Sequence, residues 1–290
     1  MYKFEPILKT LVWGTEKWVL SGVEGNESVV SEGPAAGKKI SEIYTGGQFP
    51  LLIKLIDAKQ DLSIQVHPDD ALAWERHRSK GKTEMWYIID AAPGAKLLSG
   101  LSERINSEDY VRLVREDKIT SVLASHDVHP GDVFFLPAGR IHAIGGGCYL
   151  AEIQETSDIT YRIYDYNRPG LDGKPRELHT ELAKDAIDYS VCDDYRTDYA
   201  PLKDKEVNLV SCKHFVTDLL DISNPMRRGL DDCGDFLIVI ALEGEVSLET
   251  VQGQASIKAG ECVLVEASEQ SVLISPTGES AKLLTTFVPV

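Results

Sequence analysis

The 290-residue sequence contains no apolar run near the roughly 18 residues that a membrane-spanning helix needs. Charged residues interrupt its first 20 positions, so we do not expect a signal peptide. The five cysteines are odd in number and none belongs to a CxxC pair, which predicts reduced thiols and argues against a disulfide framework or a cysteine zinc site. Together these absences predict a cytoplasmic protein with no membrane partner.

Basic residues are scarce beside acidic ones, with 30 Lys and Arg against 46 Asp and Glu, and the formal net charge is −16. Such a chain repels nucleic acid, which we therefore do not expect as a partner. The excess is uneven, because residues 181–290 carry a net charge of −11 and residues 1–180 only −5. A small anionic ligand is therefore compatible with the first part of the chain.

Short runs of β-branched and aromatic residues between turn signals predict a mainly β protein. In the first part of the chain, the predicted strands span residues 51–57, 63–67, 83–90, 132–136, 148–154 and 159–164. From residue 205 onward they span 207–211, 215–220, 236–242, 245–251, 255–257, 262–266, 271–275 and 282–287.

Two stretches depart from the strand pattern. Residues 102–125 show apolar spacings of three and four, which predicts a helical insertion between strands. Residues 166–204 are polar and predict a connector with a short helix at 179–188. We therefore expect a first barrel over 1–165, the connector over 166–204, and a second barrel over 205–290.

Residues 63–67 alternate, so Gln65 and His67 project to one face of a strand. Glu84 and Lys82 share a face of the next strand, and His142 follows a third. Two imidazoles, a carboxylate and an amide suit one Zn²⁺ per chain, although Mn²⁺, Fe²⁺, Co²⁺ or Ni²⁺ also fit such ligands. We therefore predict a metal site formed by Gln65, His67, Glu84 and His142.

The last of these residues ends a spaced motif, because Gly131, Pro137, Gly139 and His142 follow the pattern G-x5-P-x-G-x2-H. This pattern resembles the second sequence motif of cupin barrels. Residues 129–138 are also similar to residues 258–267, where Gly131 recurs as Gly260 but His142 does not recur as a histidine. The resemblance implies two cupin-type jelly-roll barrels, the first with the metal site and the helical insertion, the second degenerate and without metal ligands.

Five segments in order resemble the type I mannose-6-phosphate isomerases, and the short length resembles their compact bacterial class. These segments are LLIKLIDA at 51–58, LSIQVHPD at 62–69, GKTEMWY at 81–87, GRIHAIGGG at 139–147 and ETSDITYR at 155–162. The resemblance covers roughly residues 5–185. It implies a zinc-dependent aldose–ketose isomerase that interconverts mannose 6-phosphate and fructose 6-phosphate through a cis-enediol.

The resemblance also implies residue roles. Arg162 and Lys82 match catalytic positions of the family, and Glu152 matches a family glutamate that is our first choice for the general base. Ser63 and Arg168 match positions that hold the phosphate, with Arg168 in place of a lysine found in longer members. Glu155 and a metal-bound water are competing candidates for the base.

Two other function classes stay open at this point. A metal cupin of another reaction, such as a dioxygenase or a lyase, would use the same ligands. A sugar-binding cupin without turnover would keep the barrel but not the chemistry. In each case the expected partner is a small molecule, a sugar phosphate under the favoured interpretation, and the sequence is compatible with a homodimer.

Overall fold

The computed structural model describes all 290 residues, and the mainly β architecture is confirmed. The strands are β1 Tyr2–Glu5, β2 Ile7–Leu11, β3 Gly14–Ser21, β4 Val29–Val30, β5 Leu51–Ala58, β6 Ile64–Val66, β7 Glu84–Ala91, β8 Lys96–Leu101, β9 Leu123–Asp127, β10 Val133–Leu136, β11 His142–Ile144, β12 Cys148–Glu155, β13 Tyr161–Tyr164, β14 Glu206–Ser211, β15 Val216–Ile222, β16 Met226–Gly229, β17 Phe236–Glu243, β18 Glu245–Thr250, β19 Gly253–Lys258, β20 Cys262–Glu266, β21 Ser271–Pro276 and β22 Ala281–Phe287.

The helices are few and short. They are α1 Ile40–Ile43, α2 Asp70–His77, α3 Ser107–Arg115 and α4 Thr180–Ala186, with 3₁₀ turns at Ile119–Val122 and Ala267–Glu269. No helix has both the length and the apolar character needed to cross a membrane.

The chain divides into two compact units. The terminal unit consists of Met1–Ile7, Trp18–Pro50 and Thr197–Val290, and the central unit consists of Leu8–Lys17 and Leu51–Arg196. The domain limits expected from the sequence, at residues 165 and 204, stay a prediction. The compact units have other limits because the N-terminal strand β1 pairs with β20. A local sequence pattern cannot predict this contact between distant segments.

The terminal unit contains one sheet in the order β14-β15-β22-β17-β20-β1-β4 and a second in the order β16-β21-β18-β19. Alternate residues of their strands form one apolar cluster that includes Leu220, Leu237, Leu248, Val265 and Leu283. Each of these side chains is fully buried, and burial of one such side chain stabilises the fold by about 1.5–3 kcal/mol.

The central unit contains the strands β10-β7-β12-β5, extended beyond β5 by hairpin residues of β2 and β3 within 8–17. Its second sheet has the order β13-β6-β11-β8-β9. An apolar cluster that includes Trp13, Ile56, Trp86, Leu97 and Phe134 joins strands of both sheets. The two sheets therefore share one core and form the walls of a barrel.

Within the stretch predicted to be helical, residues 102–125, the structure has the helix α3 and the 3₁₀ turn Ile119–Val122. The prediction is wrong for residues 123–125, which belong to β9 because they pair with β8. The first turn of α3 is capped by Asn106, whose side chain accepts a hydrogen bond of 2.8 Å from the backbone N–H of Asp109. Its apolar face buries Tyr110 and Val114 in a cluster with Ile64 and Val66 of β6. Because side chains alternate along a strand, Ser63, Gln65 and His67 face the opposite way, into the barrel interior.

Several elements have no clear signal in the sequence. The strands β1–β4, β8, β9, β11 and β16 lie outside the predicted strands, and the helices α1 and α2 lie outside the predicted helical segments. Most of these strands are short, such as the three residues of β11, and their pairing depends on neighbours that are distant in the chain.

Gly100 occupies a left-handed backbone conformation, with φ +79°, against the ring of Tyr195. A Cβ at Gly100 would lie 2.1 Å from that ring, whose hydroxyl donates a 2.8 Å hydrogen bond to the carbonyl of Leu101. Gly173 has the same φ of +79° and no atom within 4 Å of its Cβ position. The two glycines therefore share backbone strain but not crowding.

We predict that Gly100→Ala destabilises the protein more than Gly173→Ala. Each substitution costs about 1–2 kcal/mol of stability because it places a Cβ on left-handed backbone. Only Gly100→Ala costs about 1–3 kcal/mol more, because its Cβ overpacks against a buried ring. Urea unfolding midpoints of the two variants measure the difference. Equal midpoints would show that the Tyr195 ring can move away from the added Cβ without loss of stability, which would contradict the prediction.

Candidate active site

Three predicted ligands converge inside the central unit. Candidate ligand atoms of His67, Glu84 and His142 lie within 4.8 Å of one another. His67 Nε2 is 3.6 Å from Glu84 Oε2, and His142 Nε2 is 3.3 Å from Glu84 Oε1. All three residues are buried, and no more than 2% of any of them is exposed.

Strand register brings the fourth predicted ligand to the same place. Gln65 of β6 pairs with His142 of β11 on one side and with Arg162 of β13 on the other. Residues directly opposite on neighbouring strands point to the same face. Gln65 Nε2 lies 3.2 Å from His142 Nε2, so a half-turn of the amide brings its oxygen to the cluster.

Both imidazoles are held by backbone carbonyls. His67 Nδ1 donates to the carbonyl of Ile159 and His142 Nδ1 to that of Arg140, each at 2.8 Å. Each ring therefore presents the lone pair of Nε2 to Glu84, as metal-binding histidines do. Gly139, with φ +89°, turns the chain here and donates its N–H to the carbonyl of His67.

The pKa values of the imidazoles favour the neutral form. Burial, followed by the nearby charge of Lys82 and by His142, lowers the pKa of His67 well below its ordinary value. Burial also lowers the pKa of His142 to about 4, although its hydrogen bond to the Arg140 carbonyl acts in the opposite direction. Neutral imidazoles are the form that binds metal.

The cluster is short of positive charge. Glu84 Oε1 and His67 Nε2 are buried without a hydrogen bond, and lone pairs face lone pairs across the cluster. Burial, with the charge of Glu152, raises the pKa of Glu84 to about 7, although Lys82 and Lys54 lower it. A divalent cation would meet this need and compete with the proton, so the residues present fit a metal ion.

A row of polar side chains crosses the sheet that contains Glu84. Glu152 of β12 pairs with Trp86 of β7 and with Lys54 of β5. Its carboxylate accepts hydrogen bonds from Lys54 Nζ at 2.7 Å and from Trp86 Nε1 at 3.0 Å. Burial alone would raise the pKa of Glu152, but the charges of Lys54 and Lys82 and these hydrogen bonds outweigh it and lower the pKa to about 2.

Lys82 links the row of polar side chains to the cluster. Its ammonium lies 2.9 Å from Glu84 Oε2, and its side chain is 5% exposed. Because Glu84 is also the shared neighbour of both histidines, Lys82 stands at the edge of the candidate metal site. Lys82 is therefore positioned to donate a hydrogen bond to an oxygen of a small molecule bound beside that site.

A cavity of about 160 Å³ lies beside the cluster. The sequence-predicted residues that line it are Ser63, Gln65, Lys82, Glu152 and Arg162. Other side chains on its wall were not predicted, and they include Trp13, Glu16, Lys54 and Arg176.

Arg162 is the cavity-lining cation without a carboxylate partner. Its Nη1 donates to the carbonyl of Glu177 at 3.0 Å, and its Nε is buried without a hydrogen bond. Burial and the like charges of Arg176 and Arg168 lower its pKa, although Asp165 acts against them. The guanidinium therefore has donor capacity directed to no protein anion.

Arg168 is not among the residues that line the cavity. Its Nε donates to Asp165 at 3.0 Å, and its guanidinium lies 5.6 Å from the centre of the Tyr166 ring. Glu155 is also away from the cavity lining, and one of its carboxylate oxygens accepts the N–H of Thr83 at 2.9 Å.

Lys54 lies within one of the matched segments, but the sequence analysis gave it no role although it left a signal there. Lys54 interrupts the apolar run of β5, where a buried lysine requires a paired carboxylate. Arg176 had no such signal, because it lies in the polar connector where an arginine is ordinarily solvated. Its place on the cavity wall results from chain folding alone.

Comparison with known proteins identifies similar chains. Residues 16–92 match the family described as phosphomannose isomerase type I, catalytic domain. A mannose-6-phosphate isomerase of Bacillus subtilis is 31% identical over 90% of this chain and 91% of its own, and one of Streptococcus mutans is 31% identical over 86% and 82%. The crystal structure of the mannose 6-phosphate isomerase from Bacillus subtilis matches with a TM-score of 0.88 and 29% identity over 99% of both chains. The fold class predicted from the sequence, with its cupin barrels, is confirmed.

We predict that His142→Ala loses metal. Even the loss of an outer hydrogen-bond partner costs about 10–100-fold in metal affinity, so removal of a ligand lowers it by at least that factor. Equilibrium dialysis against Zn²⁺, with elemental analysis, measures the affinity. His129→Ala is the matched control, because that imidazole is 78% exposed and remote from the cluster. An unchanged zinc content in His142→Ala would contradict the ligand assignment.

Proposed function

This chain belongs to the type I mannose-6-phosphate isomerase family, and we propose that it interconverts mannose 6-phosphate and fructose 6-phosphate in the cavity beside His67, Glu84 and His142. It is an aldose–ketose isomerase. The observation that carries the proposal is the convergence of these three buried side chains, short of positive charge, next to a cavity lined by basic side chains.

We propose that Gln65, His67, Glu84 and His142 hold one divalent metal ion, with Zn²⁺ as the first choice. Two imidazoles, a carboxylate and an amide oxygen are ligands that zinc accepts. When bound, the ion supplies Lewis-acid stabilisation of negative charge on the sugar oxygens.

The isomerisation moves a proton between C2 and C1 of the open-chain sugar, through a cis-enediol. A base removes the proton from one carbon and returns it to the other, while the oxygens of C1 and C2 exchange carbonyl and hydroxyl character. Arg162 and Lys82 line the cavity and are proposed to donate hydrogen bonds to these oxygens as negative charge develops. Arg162 suits this role because no carboxylate neutralises it.

Glu152 stays the proposed base. It lines the cavity as an ionised carboxylate, whereas Glu155 does not line it. The hydrogen bonds from Lys54 and Trp86 make Glu152 a weak base, since both of its oxygens are engaged. Each oxygen accepts only one of these hydrogen bonds and keeps a second lone pair that can accept the proton.

From the family resemblance, we propose that Ser63 and Arg168 hold the phosphate group of the substrate. Ser63 lines the cavity and is 3% exposed, so its hydroxyl lies inside the barrel.

We also propose a cytoplasmic location, which the five free cysteines support because thiols persist in a reducing compartment. The homodimer stays a prediction.

The test of the proposal is a coupled assay for fructose 6-phosphate formed from mannose 6-phosphate. We expect turnover that is lost on dialysis against a chelator and restored by Zn²⁺. Turnover that survives complete metal removal would contradict the metal site. Oxygen uptake with Fe²⁺ and no isomerisation would favour the oxygenase, and binding of mannose 6-phosphate without turnover would favour the sugar-binding protein.

We predict that Glu152→Gln lowers kcat by about 10²–10⁴-fold, the contribution of a positioned base, with bound metal unchanged. Lys54→Met is the matched variant, because it removes the ammonium that donates to the same carboxylate and so makes Glu152 a stronger base. Lys54→Met should therefore retain turnover. Equal losses in the two variants would instead assign the pair a structural role.

A further inference from the structure

Four basic side chains line the cavity: Lys54, Lys82, Arg162 and Arg176. The two lysines are neutralised within the wall, since Lys54 lies 2.7 Å from a Glu152 oxygen and Lys82 lies 2.9 Å from a Glu84 oxygen. Of the two arginines, Arg162 has no carboxylate partner, and Arg176 shares its partner Asp165 with Arg168.

Arg176 is held rigidly by a buried carboxylate. Its Nε donates to Asp165 Oδ2 and its Nη2 donates to Asp165 Oδ1, each at 2.6 Å. Asp165 is 5% exposed, so this two-point contact is protected from solvent. Nη1 is not used in this contact, and Arg176 is one of the residues that line the cavity.

Asp165 is shared by a second arginine. Arg168 donates to Asp165 Oδ1 at 3.0 Å, while the neighbouring Arg162 has no carboxylate partner. Two guanidinium groups therefore share one buried carboxylate, and the third, that of Arg162, is close enough to feel their charge. The same crowding contributes to the lowered pKa of Arg162, after burial, through the charges of Arg176 and Arg168. A dianion in the cavity would relieve this repulsion.

We propose that Arg176, positioned by Asp165, binds the phosphate group of the substrate directly, next to Arg162. This inference rests on the proposed function for the identity of the substrate. It adds a residue outside the family motifs, and it assigns the direct contact to Arg176 because Arg168, which matches the family position, does not line the cavity.

The experiment measures inorganic phosphate binding to the metal-loaded protein by calorimetry, together with KM and kcat for mannose 6-phosphate. A hydrogen bond between charged groups contributes about 1.5–3 kcal/mol, so Arg176→Gln should weaken phosphate binding and raise KM by about 10–100-fold. We expect a smaller loss for Arg168→Gln. Arg112→Gln, an exposed arginine paired with Asp109, should match the wild type.

Metal content reports whether each variant folds. If Arg176→Gln does not fold, Arg176→Lys replaces it, because lysine keeps the charge but loses the two-point contact with Asp165. Arg176→Lys should then bind phosphate more weakly than the wild type, and wild-type affinity would overturn the proposal.

Three results overturn the inference: no phosphate binding by the wild type, unchanged binding and KM in Arg176→Gln, or a larger loss in Arg168→Gln than in Arg176→Gln. Because phosphate binding is measured without turnover, its outcome is separate from that of the isomerase proposal. Arg176-dependent phosphate binding without isomerisation would contradict the proposed function alone. Isomerisation with unchanged Arg176→Gln kinetics would contradict this inference alone.

Discussion

The central constraint is the burial of Glu84 between two imidazoles whose lone pairs face it. Both Nδ1 atoms donate to backbone carbonyls, so neither ring directs a proton to the carboxylate. Positive charge stabilises such an arrangement, because unpaired acceptors in a dry interior are costly, and Lys82 supplies part of that charge at 2.9 Å from Glu84. Two further side chains of the site contact this cluster directly. The Lys82 ammonium lies beside the Glu84 carboxylate, and the Gln65 amide lies beside His142 Nε2.

The barrel holds its charges in short, buried pairs. Glu152 joins Lys54 and Trp86 across three adjacent strands, and Arg162 stands beside Gln65 in the opposite sheet. The apolar faces of the same strands pack against helices or the barrel core. Because each side chain alternates between these faces, a shift of one residue in register would bury the wrong set, and this ties the chemistry to the fold.

The overall charge of −16 does not describe this cavity. Its wall combines paired lysines with arginines that share Asp165. Screening limits the range of exposed charges to about 8 Å at physiological salt, whereas charges inside the barrel act over short distances in a less polar medium. A phosphorylated sugar and an acidic protein are therefore compatible.

The sequence by itself determined the mainly β class, the presence of a helix within residues 102–125, and the candidate ligands His67, Glu84 and His142. Strand periodicity is local and a spaced motif is readable in one dimension, so these predictions needed no knowledge of the fold. Only the tertiary structure decided that the N-terminal β1 joins β20, that Lys54 neutralises Glu152, and that Arg176 reaches the cavity. Each is a contact between segments far apart in the chain, whose partners depend on strand order and register that no local pattern encodes.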